Sequence, residues 1–300
     1  MLETLETYST LALYSAVVIY SIAFVFFAVD LANRSSDTAV AAGTSRRSRS
    51  LRIGFSLTVL GWFAHLAATV LRGVAAERVP WANMYEFALT AMLGIVLLFI
   101  VAQFFVDIRF LGVLITGMTV LFLLIAKINY YVEIIPLPPA LDSYWIVIHI
   151  LVAVLAIGFF ALSFGLSILQ LMQSRREVRA KDPESGPSKM RFLATFPNSD
   201  RLEDISYRTA ILGFVFWTFT LIAGSIWAEQ AWGRYWGWDT KEVWTFIIWV
   251  LYAGYIHARA TRGWRGNRSA WLSIIAFGAI VFNYTIVNVY FEGLHAYSGL

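Results

Sequence analysis

Eight apolar stretches follow one another along this chain, each close to the about 20 residues that span a bilayer as a helix, and no other feature constrains the fold as tightly. Lipid offers no hydrogen bonds, so a crossing segment has to satisfy its backbone internally, and an α-helix does this alone. The stretches predict helices at roughly 8–31, 52–72, 82–105, 109–127, 143–173, 206–228, 241–260 and 269–291. The expected fold is all-α: a polytopic integral membrane helical bundle with about eight transmembrane helices, forming a single transmembrane domain over 1–300. Composition agrees, since 59% of residues are hydrophobic and 14% charged, with mean hydropathy +0.67, against about 25% charged in soluble domains.

The basic residues set the topology. Connectors after the first, third, fifth and seventh stretches hold Arg34, Arg46, Arg47, Arg49 and Arg52, then Arg109, then Arg175, Arg176, Arg179, Lys181, Lys189, Arg191, Arg201 and Arg208, then Arg259, Arg262, Arg265 and Arg268. Only Arg72, Arg78, Lys127, Arg234 and Lys241 fall on the other side. The positive-inside rule then places both termini on the extracytoplasmic side. It makes 32–51 a cytoplasmic loop, 174–205 a flexible cytoplasmic linker and 228–241 an extracytoplasmic Trp-rich loop. The Pro-rich segment Ile134 to Pro139 lies outside as well. A pI near 9.3 is explained by this asymmetry, and nucleic acid is not an expected partner. Glu3 and Glu6 without a nearby basic residue do not suit a cleaved signal peptide, so the first stretch is expected to remain as a helix. The chain has no cysteine, which excludes disulfides, thiolate metal sites and a cysteine nucleophile. Any sulfur chemistry here uses thiols from another molecule.

One tract interrupts the apolar pattern: Trp232-Gly233-Arg234-Tyr235-Trp236-Gly237-Trp238-Asp239-Thr240-Lys241-Glu242. Its four charges are too costly for the bilayer centre, and its aromatic density is too high for an ordinary loop. Trp residues at membrane surfaces usually form belts scattered over many helix ends, whereas six of the chain's twelve Trp fall between Trp227 and Trp249. The four histidines add candidate metal ligands. His149 is expected roughly 9 Å inside the outer end of the fifth helix, and His257 about 24 Å along the seventh, near its cytoplasmic end. His65 falls near mid-membrane and His295 follows the last helix outside. Intramembrane histidines often only bond across helices, and His65 alone suggests no more than that. His149 and His295 flank the aromatic tract from either side. Flat aromatic faces, two imidazoles and the cations Arg234 and Lys241 suit a planar metal macrocycle with acidic arms; haem meets those demands. The order of histidine depths suggests a channel from His257 to the outer face.

At these residues the chain resembles the CcsA family of cytochrome c biogenesis, also called ResC, or CcsB in some bacteria, whose tryptophan-rich (WWD) signature matches Trp232 to Asp239. The resemblance continues through Glu242, Trp244, Trp249 and His257 to Gly293-Leu294-His295-Ala296-Tyr297. Upstream it includes Leu71-Arg72-Gly73, Asn83-Met84-Tyr85-Glu86-Phe87, and Ser143-Tyr144-Trp145 before His149. It implies a multi-pass protein of a bacterial inner (plasma) membrane, or of a thylakoid in a plastid, acting as a subunit of a cytochrome c synthase (haem lyase). Haem b would be the transported substrate. His149 and His295 would be axial ligands of an external haem, and Trp232, Gly233, Tyr235, Trp236, Trp238 and Asp239 its platform. Arg234 and Lys241 would be candidate propionate contacts, His257 the axial ligand of a transmembrane site, and His65 a candidate additional site. The implied partners are a CcsB/ResB membrane subunit, needed for activity, and apocytochrome c with a Cys-x-x-Cys-His segment, with thiol-reducing proteins as further partners. No catalytic acid or base is assigned. Thr240 departs from the pattern, since many relatives have proline there, and is expected to loosen the turn into the seventh helix. The rival readings are a haem transporter or chaperone without ligation chemistry, supported less by eight helices than by six, and a permease with an aromatic gate.

Overall fold

The computed structural model describes residues 2–34, 48–134, 142–181, 190–261, 263–291 and 293–294. His295 and most of the Pro-rich segment lie outside the described residues, as do Arg46, Arg47, Lys189 and Arg262. Among the described residues there are eight long helices and no strand: α1 (Leu2–Arg34), α2 (Arg49–Ala76), α3 (Met84–Ala102), α4 (Gly112–Asn129), α5 (Tyr144–Ala180), α6 (Ser199–Trp232), α7 (Thr240–Ala260) and α8 (Asn267–Tyr290). Seven are long and apolar enough to cross a membrane by length and composition. The exception, α7, carries Lys241, Glu242 and Arg259 within 21 residues.

Helix starts follow local chemistry. Ser48, Asn83, Ser143, Asn198 and Asp239 each hold an extended or near-extended N-cap conformation, and their side-chain oxygens accept a first-turn N–H, as short polar residues do best. The helices pack mainly as α1 on α2 and α5 on α6, with α3 bridging the two pairs by packing on α2 and α5, α4 lying against α1 and α3, and α8 lying between α5 and α7. Apolar side chains such as Val18, Phe63, Leu151, Phe219 and Val250 are left exposed on the outside, which is the lipid face of a membrane protein. Polar side chains turn inward. Ser163, Ser167, Ser206 and Ser273 share hydroxyl contacts of 2.9–3.2 Å between α5, α6 and α8, and Arg259 of α7 pairs with Glu203 and Asp204 of α6.

Alternate connectors collect at opposite ends. At one end Arg34 of α1 donates to Thr195 at 3.1 Å, Phe110 packs on Phe196 at 5.0 Å, and Gln170 of α5 donates to Gly266 O at 2.9 Å. This is the basic end. At the other, Arg72 joins Glu6 (2.9 Å), Glu86 (3.1 Å) and the Val132 carbonyl (2.8 Å), and Ser143 meets Gln230 at 2.9 Å. Both described ends of the chain lie here.

Two sequence expectations change. The segment 174–205 is not simply a flexible linker: α5 runs to Ala180, a 3-10 turn covers Arg191–Thr195, and α6 begins at Ser199. Glu177 accepts the Ser199 N–H at 3.0 Å and Gln173 donates to Pro197 O at 3.1 Å, so the α5–α6 pair continues past the bilayer. At 37 residues α5 is roughly 55 Å long, well beyond the about 30 Å hydrocarbon core. The tract 228–241 is likewise only partly loop, because α6 is helical through Trp232.

Candidate functional site

The aromatic tract is a tied turn. Gly233 ends α6 in the left-handed region (φ 69°) and donates its N–H to Glu229 O at 2.7 Å, a C-terminal geometry that favours glycine. Arg234 folds back, its guanidinium donating to Gly237 O at 3.2 Å. Trp238 also has positive φ, 59°, which is uncommon for a bulky residue. Asp239 caps α7 by accepting the Lys241 N–H at 2.9 Å, while Glu242 Oε2 accepts the N–H groups of Gly237 (2.8 Å) and Asp239 (3.1 Å). This is a reciprocal capping box. Thr240 occupies the first helical position, which suits proline and many other residues, so its presence does not loosen the turn. Asp239 Oδ2 also accepts the Leu294 N–H at 2.8 Å and thereby ties the chain just before His295 to the tract. The charges that made this stretch unfit for lipid mostly hold its backbone in shape.

Beside the turn is a cavity of about 1270 Å³, counting its open mouth, walled by α3, α5, α6, α7 and α8. His149 lies in its wall, one and a half turns into α5. Its Nδ1 is 2.9 Å from Thr220 O; a carbonyl only accepts, so the proton is on Nδ1 and the acceptor lone pair on Nε2. A ligand histidine is commonly held this way, with its second nitrogen donating to a carbonyl. The ring stacks near Trp227, with centroids 6.0 Å apart and planes 23° from parallel. Gly224 makes room for it: a Cβ there would sit 2.8 Å from His149 Cε1 and Nδ1. Lys241 enters from α7 and contacts Asn288 Oδ1 of α8.

The structure divides the expected site residues. Tyr235 and Trp236 line the cavity. Trp232 packs edge-on against Trp227 at 4.8 Å, behind the His149 wall, and Trp238 is 77% exposed, meeting Trp236 edge-on at 5.9 Å. Gly233, Arg234 and Asp239 shape the turn without lining the cavity. His257 is exposed near the basic end of α7, whereas α7 contributes only Lys241, Glu242 and Thr245 to the cavity. The expected internal channel to His257 is therefore not part of this cavity: Thr245 and His257 are twelve residues apart, roughly 18 Å along the axis and on different faces. His65 is fully buried against Tyr20, with ring centroids 6.0 Å apart, and neither its ring nitrogens nor the Tyr20 hydroxyl has a well-formed hydrogen bond. It does not line the cavity.

Several lining residues escaped the sequence: Asn83, Thr220, Gly224, Asn283, Tyr284 and Asn288. Asn283 and Tyr284 sit in a π turn, Asn283–Val287, inside α8, and Tyr284 donates to Met84 O at 2.7 Å while stacking on Phe87. For Asn283, Tyr284 and Asn288 the signal in the sequence was polarity inside an apolar stretch.

Residues 81–295 match the family model described as Cytochrome C assembly protein. The chain belongs to this family. It is 29% identical over 83% of its length to the cytochrome c biogenesis protein CcsA of Guillardia theta, covering 86% of that protein, and 30% identical over 82% to CcsA of Trieres chinensis, covering 88%. A CcsA of Prochlorococcus marinus is 40% identical over 54% of this chain, and that match spans only 56% of the relative. Among solved structures, the cytochrome c haem lyase CcmF superposes over 93% of this chain and 46% of its own, with a TM-score of 0.65 and 17% identity. The family model spans every cavity wall, and CcmF shares the helical arrangement.

Proposed function

We propose that this chain is the haem-carrying subunit of a cytochrome c synthase, in a bacterial inner membrane or a thylakoid, with both termini on the extracytoplasmic side. Haem b is its substrate, bound in the outer cavity with His149 as one axial ligand and His295 as the other. The observation that carries this is His149 itself: an imidazole in an apolar, open cavity, its Nδ1 proton held by Thr220 O, offers Nε2 to a metal centre. Lys241 supplies a cation for a propionate; Arg234, whose guanidinium is folded back on Gly237 O outside the cavity lining, would have to leave that bond to meet the second. Tyr235 and Trp236 cover a ring edge. Trp232 and Trp238 support the turn and extend its aromatic surface. His257, on the lipid-facing side of α7, ligates haem entering from the membrane together with a ligand from the CcsB/ResB partner. His65 has no role in this scheme.

The reaction places two thiols of an apocytochrome Cys-x-x-Cys-His segment against the haem vinyls. Each sulfur bonds to the inner vinyl carbon, and the thiol hydrogen goes to the terminal carbon, leaving a methyl; no oxidant or reductant is consumed. The chain's part is positioning, which can be worth roughly 7–11 kcal/mol. The family's assignment to cytochrome c assembly and the CcsA names of its relatives support this reading.

An absorption spectrum of the purified protein, with and without its partner, tests it. A bis-imidazole haem spectrum is expected, and its absence from both preparations rejects the proposal. Replacing His149 with Gly should lower occupancy or make it rescuable by added imidazole; an unchanged spectrum rejects that ligand. Co-expression with the partner and a Cys-x-x-Cys-His substrate should yield covalent haem. Bound haem without covalent product would instead favour a carrier without ligation chemistry.

A further inference from the structure

The cavity's polar groups are placed unevenly. His149 occupies one wall, while α7 and the π turn of α8 bring Lys241, Asn283 and Asn288 to another. Lys241 Nζ donates to Asn288 Oδ1, and Asn288 Nδ2 donates to Tyr284 O at 2.8 Å. An ammonium has three donors, and a neutral amide occupies one. Glu242, which also lines the cavity, gives its Oε2 to the Gly237 and Asp239 amides and leaves its Oε1 without a hydrogen-bond partner, an acceptor with nothing to donate to a carboxylate.

Asn283 is the unusual member. It is 7% exposed, its Oδ1 has no hydrogen-bond partner, and its Nδ2 makes no bond to a described residue. Buried side-chain amides are rarely left so. The π turn explains its direction. Residues five apart in a regular α-helix point about 140° away from each other; a widened turn with i→i+5 spacing returns them to one side. Asn283 and Asn288 are such a pair, and both line the cavity. The turn thus presents an unsatisfied amide to the same cavity as a cation held by a neutral group. Because the O and N of an amide are assigned from surroundings, either can face the ligand.

We propose that Asn283 and Lys241 together grip one carboxylate arm of the cavity's ligand, with Asn283 as the residue that selects ligands carrying that arm and Asn288 as the residue that positions Lys241. This rests on the haem reading above. The amide N–H and the ammonium each give the carboxylate a donor.

The test is titration of the purified full-length protein with iron protoporphyrin IX and with its dimethyl ester, which keeps the ring, iron and vinyls but caps both carboxylates. Wild type is expected to prefer the free acid by roughly tenfold or more, as charge-assisted hydrogen bonds allow. Asn283→Leu should lose most of that preference by weakening acid binding while keeping ester binding, which also shows the variant is folded. Asn283→Asp, which adds a like charge, should bind the acid more weakly still. Equal binding of acid and ester by wild type overturns the proposal, as does Asn283→Leu weakening both alike, even though haem binding itself stands. If wild type takes up neither compound, the haem reading fails and this inference with it.

Discussion

At the level of single residues, the site depends on what surrounds His149 as much as on the histidine. The imidazole is fixed by Thr220 O and Trp227 and is accommodated by Gly224. Gly224→Ala is expected to force the ring out of this position at about 1–3 kcal/mol of local strain. The haem spectrum should weaken or shift while secondary structure by circular dichroism stays helical; an unaltered spectrum would show that the ring has room to move. The sequence made His149 a candidate by its depth, but Gly224 and Thr220 gave no sign of their roles because they act from the next helix.

Among the helices and their connections, the turn between α6 and α7 is set by caps. Asp239→Ala should destabilise the start of α7 by about 1 kcal/mol and release Leu294 as well. Thr240→Pro is expected to be tolerated or slightly stabilising, by up to about 1 kcal/mol, since Asp239 has ψ 145°, the extended range that a following proline favours, and a first-turn N–H has no intrahelical acceptor to lose. Thermal melts in detergent would separate the two, and a large drop for Thr240→Pro would contradict the capping geometry. The tract was legible as a concentration of aromatic and charged residues between two apolar helices. Which rings face the cavity was not, because a left-handed Gly233 and a positive φ at Trp238 re-aim neighbouring side chains. The π turn had no signature in the sequence either.

Across the bundle as a whole, buried charge fastens one end. Glu86 accepts from Arg72, Arg78 and the Ala82 amide, and Arg72 reaches Glu6 and Val132 O, joining α1, α2, α3 and the chain beyond α4. Removing the charge with Glu86→Gln leaves Arg78 without a carboxylate and Arg72 with Glu6 alone, and is expected to cost about 3 kcal/mol, seen as a lower melting temperature in detergent. Little or no change would mean that water substitutes for the carboxylate. The same alternation predicts topology: a reporter inserted in 182–189 should face the cytoplasm and one fused after Leu300 should face outside. The reverse labelling would overturn the orientation.

The number of helices, their alternation and the end at which basic residues gather were all readable from the amino-acid order, because bilayer thickness and charge placement act on segments one after another. So were His149 and the aromatic tract, since a polar side chain is conspicuous in apolar surroundings. Which faces meet was settled only by packing. It put Glu242, Tyr252 and Arg259 of α7 inward and left His257 exposed, as lipid turns polar groups toward the protein interior. It also separated Arg234 from the cavity and brought Asn283 into it, because those directions come from caps, one widened turn and contacts between helices far apart in the chain.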